Sequence, residues 1–180
     1  MKVEKSKFHT MLVRPVIIVT TISDDGEVNA APFSFSSPIS FSPPIMGFSC
    51  NPQHDTWTNI HENGEFVVNV AGKELGEYMH ILEQSYPYGV NELEEAGLSS
   101  SPSKAVEPPR LDDALGWMEC KTMFAKRLGD HIWIAGDVLE AEARDNFYDE
   151  VIDAGEALSH ISSTYFAQDA QLKEYKRAKK

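Results

Sequence analysis

Two long segments of strand-like composition lie on either side of Gly129-Asp130, and they restrict the fold more than any other feature of the chain. Residues 117–128 and 131–143 are rich in β-branched and aromatic side chains. A two-residue connection containing glycine is typical of a β-hairpin, because glycine adopts the positive φ that tight turns require. The spacing therefore predicts a long antiparallel hairpin and a sheet large enough to contain it.

Shorter apolar segments predict further antiparallel strands. Residues 16–22 are apolar and β-branched, and the turn sequence SDDG leads into residues 27–31 as the second arm of a hairpin. Residues 42–50 and 65–71 have the same strand-like composition. A series of hairpins of this kind favours a mainly antiparallel sheet that closes into a barrel over a layered α/β fold.

Helical patterns are fewer and shorter. The sequence HDTWTNIHENG predicts a short helix with Asp55 or Thr56 as its N-cap and Gly64 at its C-terminal end. Further helical patterns, the last two of them weaker, lie at residues 73–85, 148–158 and 163–176.

Length and composition predict a single domain over residues 1–180. The chain has 180 residues, 42% of them hydrophobic, which is sufficient for one core. Residues 85–110 are rich in Pro, Ser and Gly and predict a long ordered loop or lid with a turn of helix at 92–96. The basic residues at 173–180 predict a solvated tail.

Charge and hydropathy restrict the partners. The formal net charge of −12 opposes binding to nucleic acid phosphates. No apolar segment approaches the ~20 residues that span a bilayer, and the N-terminus lacks the apolar core of a signal peptide. Two cysteines, Cys50 and Cys120, do not make a disulfide framework. We therefore expect a cytoplasmic protein that binds neither nucleic acid nor membrane.

Several common catalytic motifs are missing from the sequence. It contains no G-x-x-x-x-G-K-[ST], no G-x-G-x-x-G and no H-E-x-x-H. The sequence GFSCN around Ser49 lacks the second glycine of a serine hydrolase motif. The spacing of Cys50, His54 and His61 matches no zinc site, so we predict no metal.

The segment GEVNAAPFSFSSPIS, residues 26–40, is crowded with small and hydroxyl side chains. Ser34 and Ser36 share a face if this segment is extended, and His54 and Thr56 lie at the start of the predicted helix. Hydroxyls and backbone N–H groups at a helix N-terminus can bind phosphate. Spacing alone leaves two interpretations open: a phosphate site, or turn-forming serines with Thr56 as a simple cap.

An ordered series of motifs resembles the flavin reductase-like family of FMN-binding split-barrel proteins. Residues 14–70 contain an R-P-V opening, a TT strand, G-x-x-N-x-A-P-x-S, a P-P strand, D-T-x-x-N-I and F-V-V-N, and residues 129–138 contain G-D-H-x-x-x-x-G-x-V. The long insertion at 85–110 makes the chain similar to the flavoredoxin-like branch. The resemblance implies a mainly β fold, a six-stranded antiparallel Greek-key split β-barrel with a few short helices, in a homodimer with FMN near the subunit interface.

The resemblance also implies a set of FMN-binding residues. They are Asn29, Ala30, Ala31, Phe33, Ser34, Phe35, Ser36, Ser49, Cys50, Asn51, His54, Thr56 and Asn59. The first three would line the edge of the flavin ring with their backbone groups. Ser34 and Ser36 would direct hydroxyls toward the ribityl chain and phosphate, and His54 and Thr56 would bind the phosphate at the helix start.

His131 is the catalytic residue that the resemblance implies, placed where it would position NADH or NADPH for hydride transfer to the flavin N5. The implied activity is NAD(P)H-dependent FMN reduction, with electrons passing on to a small-molecule or protein acceptor. Two alternatives stay open: a flavoredoxin-like FMN electron carrier without its own nicotinamide site, and a non-redox FMN-binding protein. Arg14 either pairs with an acid or lies near the flavin or a partner subunit.

Overall fold

The computed structural model describes residues 1–175, in which strands predominate. The strands are β1 (Arg14–Pro15), β2 (Ile17–Ile22), β3 (Val28–Phe33), β4 (Ser36–Phe41), β5 (Pro44–Cys50), β6 (Glu65–Val70), β7 (Ser100–Ser101), β8 (Arg110–Leu111), β9 (Gly116–Leu128), β10 (His131–Ala143), β11 (Tyr148–Asp149), β12 (Val151–Ile152), β13 (Ser159–Ser162) and β14 (Tyr165–Ala167). The α-helices are α1 (Asp55–Asn63), α2 (Met79–Leu82) and α3 (Glu92–Ala96), and 3₁₀ helices span Lys5–Met11, Lys73–Tyr78 and Asp145–Phe147.

The main sheet of the described chain is antiparallel and curls into a barrel. Its strand order is β3-β2-β6-β9-β10-β5-β4, so its two edge strands, β3 and β4, are consecutive in sequence. Only Ser34 and Phe35 join them, and the three Cα–Cα steps involved reach at most about 11 Å. The two edges must therefore lie close together, and the barrel is split between them.

The mainly β fold class and the antiparallel barrel are confirmed. The long hairpin of β9 and β10 forms around Gly129-Asp130 as predicted. Seven strands rather than six make up the main sheet of residues 1–175, because Ser36–Phe41 pairs with β5 as a strand of its own.

Strand β2 is buried along almost its whole length because both of its faces are covered. Ile17 and Val19 pack inside the barrel with Phe48. Ile18 faces the other way and packs against Leu75 in a second core between the sheet and the helical segments. Alternation along one strand thus supplies two cores, and the second core holds the insertion at 85–110 against the barrel.

Helix α1 begins at Asp55, which is one residue earlier than an N-cap at Asp55 would allow. Its N-cap is His54, whose side chain makes no capping hydrogen bond, so the prediction of Asp55 or Thr56 was wrong. The helix ends at Gly64, which has the predicted left-handed conformation with φ 76°.

The helices predicted at 148–158 and 163–176 were wrong in the described part of the chain. The first segment contains β11 and β12 instead, the second contains β14, and β13 lies between the two segments. Strand β13 pairs with β1, which places His160 opposite Arg14, and with β14 on its other side. Pairing with a distant strand overrides the weak helical propensity of the segment.

The insertion at 85–110 is an ordered loop that includes the predicted helical turn, α3. Its C-terminal part is tied down where β7 pairs with β8. The predicted basic tail lies mostly outside residues 1–175, which the structure describes. Within those residues, no helix has the length and apolar character needed to cross a membrane.

Candidate functional site

Two adjoining cavities lie where the edges of the sheet meet. The larger, here the histidine cavity, is ≈ 270 Å³ and is lined by His9, Arg14, Pro32, Phe33, Ser34, Phe35, Ser49, Asn51, His54, His131, His160, Ser162 and Ser163. The smaller, here the helix cavity, is ≈ 190 Å³ and is lined by Asn29, Ala31, Pro32, Gln53, His54, Asp55, Thr56, Leu82, Glu83, Gln84, Ser85, Tyr86 and Glu92. Pro32 and His54 belong to both walls, so the cavities form one groove.

The two ends of the groove differ in charge. The histidine cavity has an arginine, several histidines and several serines in its wall, and no aspartate or glutamate of the described chain. The helix cavity is lined by Asp55, Glu83 and Glu92. Because the whole chain carries a formal net charge of −12, the histidine cavity is a local exception that favours anions.

Arg14 is the strongest cation in the histidine cavity. It is only 8% exposed, and its Nη1 and Nη2 donate to the backbone carbonyls of His9 at 2.9 Å and Ile161 at 2.7 Å. Its guanidinium lies 5.0 Å from the centre of the Phe35 ring. No carboxylate of residues 1–175 pairs with it, so the structure favours a position beside the groove over pairing with an acid. Burial lowers the pKa of Arg14.

The ring of His160 is oriented by hydrogen bonds at both of its nitrogens. Its Nδ1 is 3.3 Å from Nη2 of Arg14, and a guanidinium can only donate, so Nδ1 accepts. Its Nε2 is 3.1 Å from the carbonyl of Ser163 and therefore carries the proton. Ser34 Oγ also lies within hydrogen-bond distance of this Nδ1, at 3.0 Å. Arg14, Ser34 and His160 thus form one connected cluster.

His131 is oriented by the residue before it. Its Nδ1 is 2.8 Å from Oδ1 of Asp130, and this hydrogen bond lowers the pKa of the Asp130 carboxyl. An ionised carboxylate can only accept, so Nδ1 of His131 donates and Nε2 is left as an acceptor. The imidazole lies 5.9 Å from the Phe35 ring, in the wall of the histidine cavity.

The structure brings most of the predicted residues to the groove. Those in the histidine cavity are Phe33, Ser34, Phe35, Ser49, Asn51, His54 and His131. Those in the helix cavity are Asn29, Ala31, His54 and Thr56. Four predicted residues line neither cavity: Ala30, Ser36, Cys50 and Asn59.

Alternation explains why two of these residues are turned away. Ser36 is paired with the core residue Phe48, and directly paired residues share a face. Its Oγ is buried and has no hydrogen-bond partner in the described residues. Cys50 also faces the core, where burial raises the pKa of its thiol to about 12. Ser34 lies in the connection before β4. The alternation of side chains along β4 therefore does not place Ser34 on the same face as Ser36.

Asn29, Thr56 and Asn59 belong to a buried hydrogen-bond network that fastens α1 to the sheet. Thr56 Oγ1 donates to Oδ1 of Asn29 at 2.8 Å, and Asn59 Nδ2 donates to Oγ1 of Thr21 at 3.1 Å. Thr56 has no exposed surface. The hydroxyl that the resemblance assigns to phosphate is therefore engaged inside the protein.

Glu92 of α3 accepts hydrogen bonds from two polar groups of β3. Its Oε1 accepts from Nδ2 of Asn29 and its Oε2 accepts from the backbone N–H of Ala30, both at 2.8 Å. The Ala30 N–H is one of the backbone groups that the resemblance assigns to the flavin ring edge. Burial is the main cause that raises the pKa of Glu92, against the opposing effect of these hydrogen bonds.

His54 adds little positive charge to the groove. Burial and the nearby His131 lower its pKa, outweighing the opposite effect of Asp55. Together with the acidic wall, this makes the helix cavity a weaker site for phosphate than the sequence predicted.

Sequence reasoning missed His9, His160, Ser162 and Ser163, and left Arg14 between pairing with an acid and a position near the flavin or a partner subunit. These residues come from the two ends of the chain, and Arg14 and His160 are 146 positions apart. No spacing pattern signals them, because the pairing of β1 with β13 is what brings them together.

Comparisons with known proteins agree on one family. The model of the flavin reductase like domain matches residues 9–166, a range that includes the lining residues of both cavities. An uncharacterized protein from Aquifex aeolicus is 38% identical over 142 residues, which is 76% of this chain and 72% of that protein.

Two solved structures share the fold. Nitrilotriacetate monooxygenase component B from Bacillus cereus has a TM-score of 0.85 at 24% identity, covering 97% of this chain and 95% of that one. Flavoredoxin of Desulfovibrio vulgaris (Miyazaki F) has a TM-score of 0.86 at 14% identity, covering 97% of both chains.

Proposed function

The chain belongs to the flavin reductase-like family, and on that premise we propose that it binds FMN and reduces it with NADH or NADPH. The observation that carries the proposal is the groove, which collects Ser34, Phe35 and His131 from separate elements. Family membership supports an oxidoreductase, and the groove supports the flavin as its cofactor.

The residues of the groove fit the chemistry of FMN. Phe33 and Phe35 offer apolar surface to an aromatic ring, and Ser34 and Ser49 offer hydroxyls to a polar chain. The buried guanidinium of Arg14 has no counter-ion in the described residues, so a negatively charged ligand would neutralise it.

Bound FMN would supply the redox chemistry, accepting a hydride from reduced nicotinamide and passing electrons to a small-molecule or protein acceptor. The protein supplies orientation. Asp130 holds the His131 ring through Nδ1, so Nε2 is available to accept an N–H from the carboxamide of nicotinamide. Phe35 contacts both His131 and Arg14, at 5.9 Å and 5.0 Å from its ring centre, and so provides an apolar surface at this end of the groove.

One observation favours a second candidate, an FMN electron carrier without a nicotinamide site. The basic residues closest to His131 in sequence, Lys126 and Arg127, are exposed and line neither cavity. They are not placed to bind the phosphates of a nicotinamide dinucleotide in the groove.

A two-step experiment separates these candidates from a non-redox FMN-binding protein. FMN is first titrated into the purified apoprotein, with flavin fluorescence as the signal, and absence of binding would reject all three. The FMN-loaded protein is then mixed anaerobically with NADH or NADPH. Rapid bleaching of the flavin absorbance supports the reductase. Reduction by a reduced ferredoxin, without bleaching by NADH or NADPH, supports the carrier, whereas reduction by dithionite alone supports the non-redox protein.

We also propose that the protein forms a homodimer through the outer face of the barrel. Ile39, Phe41 and Phe124 are large apolar residues that are 48%, 95% and 49% exposed. Ile39 packs over Gly47 on β5, and Phe124 on β9 is paired with Ala135 of β10, which is itself paired with Gly47. Ile39 and Phe124 therefore lie on one face of the sheet, which a second copy of the chain would cover.

A further inference from the structure

We infer that the histidine cavity contains an oxyanion subsite built around Arg14 and Ser34, which binds one phosphate monoester or carboxylate group. The inference deepens the proposed function and rests on it only for the identity of the ligand. The subsite itself follows from the charge, burial and hydrogen bonding of residues in the apoprotein.

The first observation is a buried guanidinium whose charge is not compensated. Arg14 is more than nine-tenths buried, and its Nε is buried without a hydrogen-bond partner. Its Nη atoms reach the carbonyls of His9 and Ile161 and Nδ1 of His160, none of which is an anion. A buried charge without an opposite charge is costly, and a bound oxyanion would remove that cost.

The second observation is the set of donors around this guanidinium. Ser34 Oγ is linked to Arg14 through Nδ1 of His160, at 3.0 Å and 3.3 Å respectively. The Ser34 hydroxyl can turn from His160 to an incoming oxyanion, since a serine O–H rotates freely. Phe35 lies over the guanidinium and limits its contact with water, which strengthens a charged hydrogen bond.

The third observation concerns the other end of the groove. The helix cavity presents Asp55, Glu83 and Glu92 to a ligand, whereas the histidine cavity presents no acid of the described chain. An oxyanion in this groove is therefore favoured at the Arg14 end. Two sources have the required chemistry: the phosphate of FMN itself, and the carboxylate of a second substrate that binds beside the flavin.

The test uses Arg14→Met, which keeps an apolar side chain over Phe35 and removes the charge. Arg144→Met is the matched control, because Arg144 also stacks on a phenylalanine, at 5.0 Å from the Phe147 ring, and lines neither cavity. The first measurement is thermal unfolding of the apoprotein with inorganic phosphate as the probe. We expect phosphate to stabilise the wild type and the control, and not Arg14→Met.

The second measurement identifies the source of the oxyanion. If it is the flavin phosphate, Arg14→Met weakens FMN binding by roughly 10- to 100-fold and leaves riboflavin binding unchanged. If it is a substrate carboxylate, FMN binding is retained, and benzoate changes the flavin spectrum of the loaded wild type but not that of Arg14→Met. Either result supports the subsite.

The subsite is rejected if Arg14→Met matches the wild type in its response to phosphate, FMN and benzoate. If circular dichroism shows that Arg14→Met does not fold, Ser34→Ala replaces it, with the same expected loss of phosphate stabilisation and the same rejecting result. If the wild type binds no flavin but is stabilised by phosphate, and Arg14→Met is not, the proposed function is rejected and the subsite is supported.

Discussion

At the residue scale, neighbouring side chains on one strand have opposite surroundings. Ser49 and Cys50 are consecutive on β5, and both were predicted to contact FMN. Ser49 lines the histidine cavity, whereas Cys50 packs in the barrel core. The period of two along a strand allows only one of them to face the groove.

Both cysteines should therefore be unreactive in the native protein. Neither Cys50 nor Cys120 has exposed surface, and burial raises the pKa of each thiol to about 12, so almost no thiolate is present at neutral pH. Titration with a disulfide reagent should detect no thiol in the folded protein and both thiols in denaturant. Rapid labelling of the native protein would contradict this assignment.

His131→Ala should separate flavin binding from flavin reduction. The change removes a side chain from the cavity wall but leaves the cluster around Arg14 intact, so FMN affinity should stay within about twofold. Reduction by NADH or NADPH should slow by roughly a hundredfold, because the donor is misplaced. Anaerobic stopped-flow absorbance measures the second effect. His80→Ala, an exposed histidine on α2, should change neither quantity.

Asp130→Asn tests whether orientation of the His131 ring matters. The amide can still hydrogen-bond Nδ1 but can also donate to it, so both tautomers of the imidazole become accessible. We expect slower reduction than in the wild type and faster reduction than in His131→Ala. Equal reduction rates in Asp130→Asn and the wild type would mean that the Asp130 contact stabilises the turn and has no effect on flavin reduction.

At the element scale, Glu92 supplies the side-chain hydrogen bonds that join the short helix α3 to β3, in addition to the packing of Leu93 in the second core. Glu92→Gln leaves either Asn29 Nδ2 or the Ala30 N–H facing another donor, which should cost about 1–3 kcal/mol of unfolding free energy. Urea unfolding measures the loss. Glu95→Gln, an exposed position on the same helix, should be neutral, and an equal loss there would contradict a specific contact.

The C-terminal part of the insertion is anchored by Glu119 on β9. Its Oε1 accepts from the N–H of Lys104 at 2.9 Å and from Nε of Arg110 at 2.6 Å. Burial alone would raise the pKa of Glu119, but these hydrogen bonds and the Arg110 charge outweigh it, so the pKa is lowered. This carboxylate therefore stays ionised in the folded protein at a pH where the unfolded chain takes up a proton.

The stabilisation from Glu119 should accordingly be complete above the ordinary glutamate pKa of 4.5 and should be lost as the pH falls through the lower folded value. Glu119→Gln should lower the unfolding free energy at neutral pH by about 3 kcal/mol, since it leaves Arg110 without its buried partner. The difference between the two proteins should shrink in acid. Glu107→Gln, exposed in the same loop, is the control and should follow the wild type at every pH.

At the scale of the whole molecule, the exposed apolar residues of β4 and β9 form the surface at which we propose that two copies of the chain associate. Phe124→Glu places a charge in that surface and should convert a dimer to a monomer without changing the fold. Light scattering after gel filtration measures the mass. Val151→Glu changes an exposed apolar residue on the small β11–β12 hairpin and should leave the dimer intact. A monomeric wild type would contradict the homodimer.

Local patterns in the sequence determined the strands and their hairpins. Gly129-Asp130, the β-branched composition of β2 and the turn at SDDG act over a few residues, so a linear sequence displays them directly. The motif series identified the family for the same reason, since most of its residues are close together in the chain.

Only the tertiary structure decided which side chains meet in the groove. Arg14 reaches His160 because β1 pairs with β13, and Glu92 reaches Asn29 because α3 packs on β3. Such contacts join residues far apart in sequence, and the free energy that selects them comes from burial of two cores that no local pattern describes. The barrel was therefore predictable from the sequence, whereas the charge distribution of its groove was not.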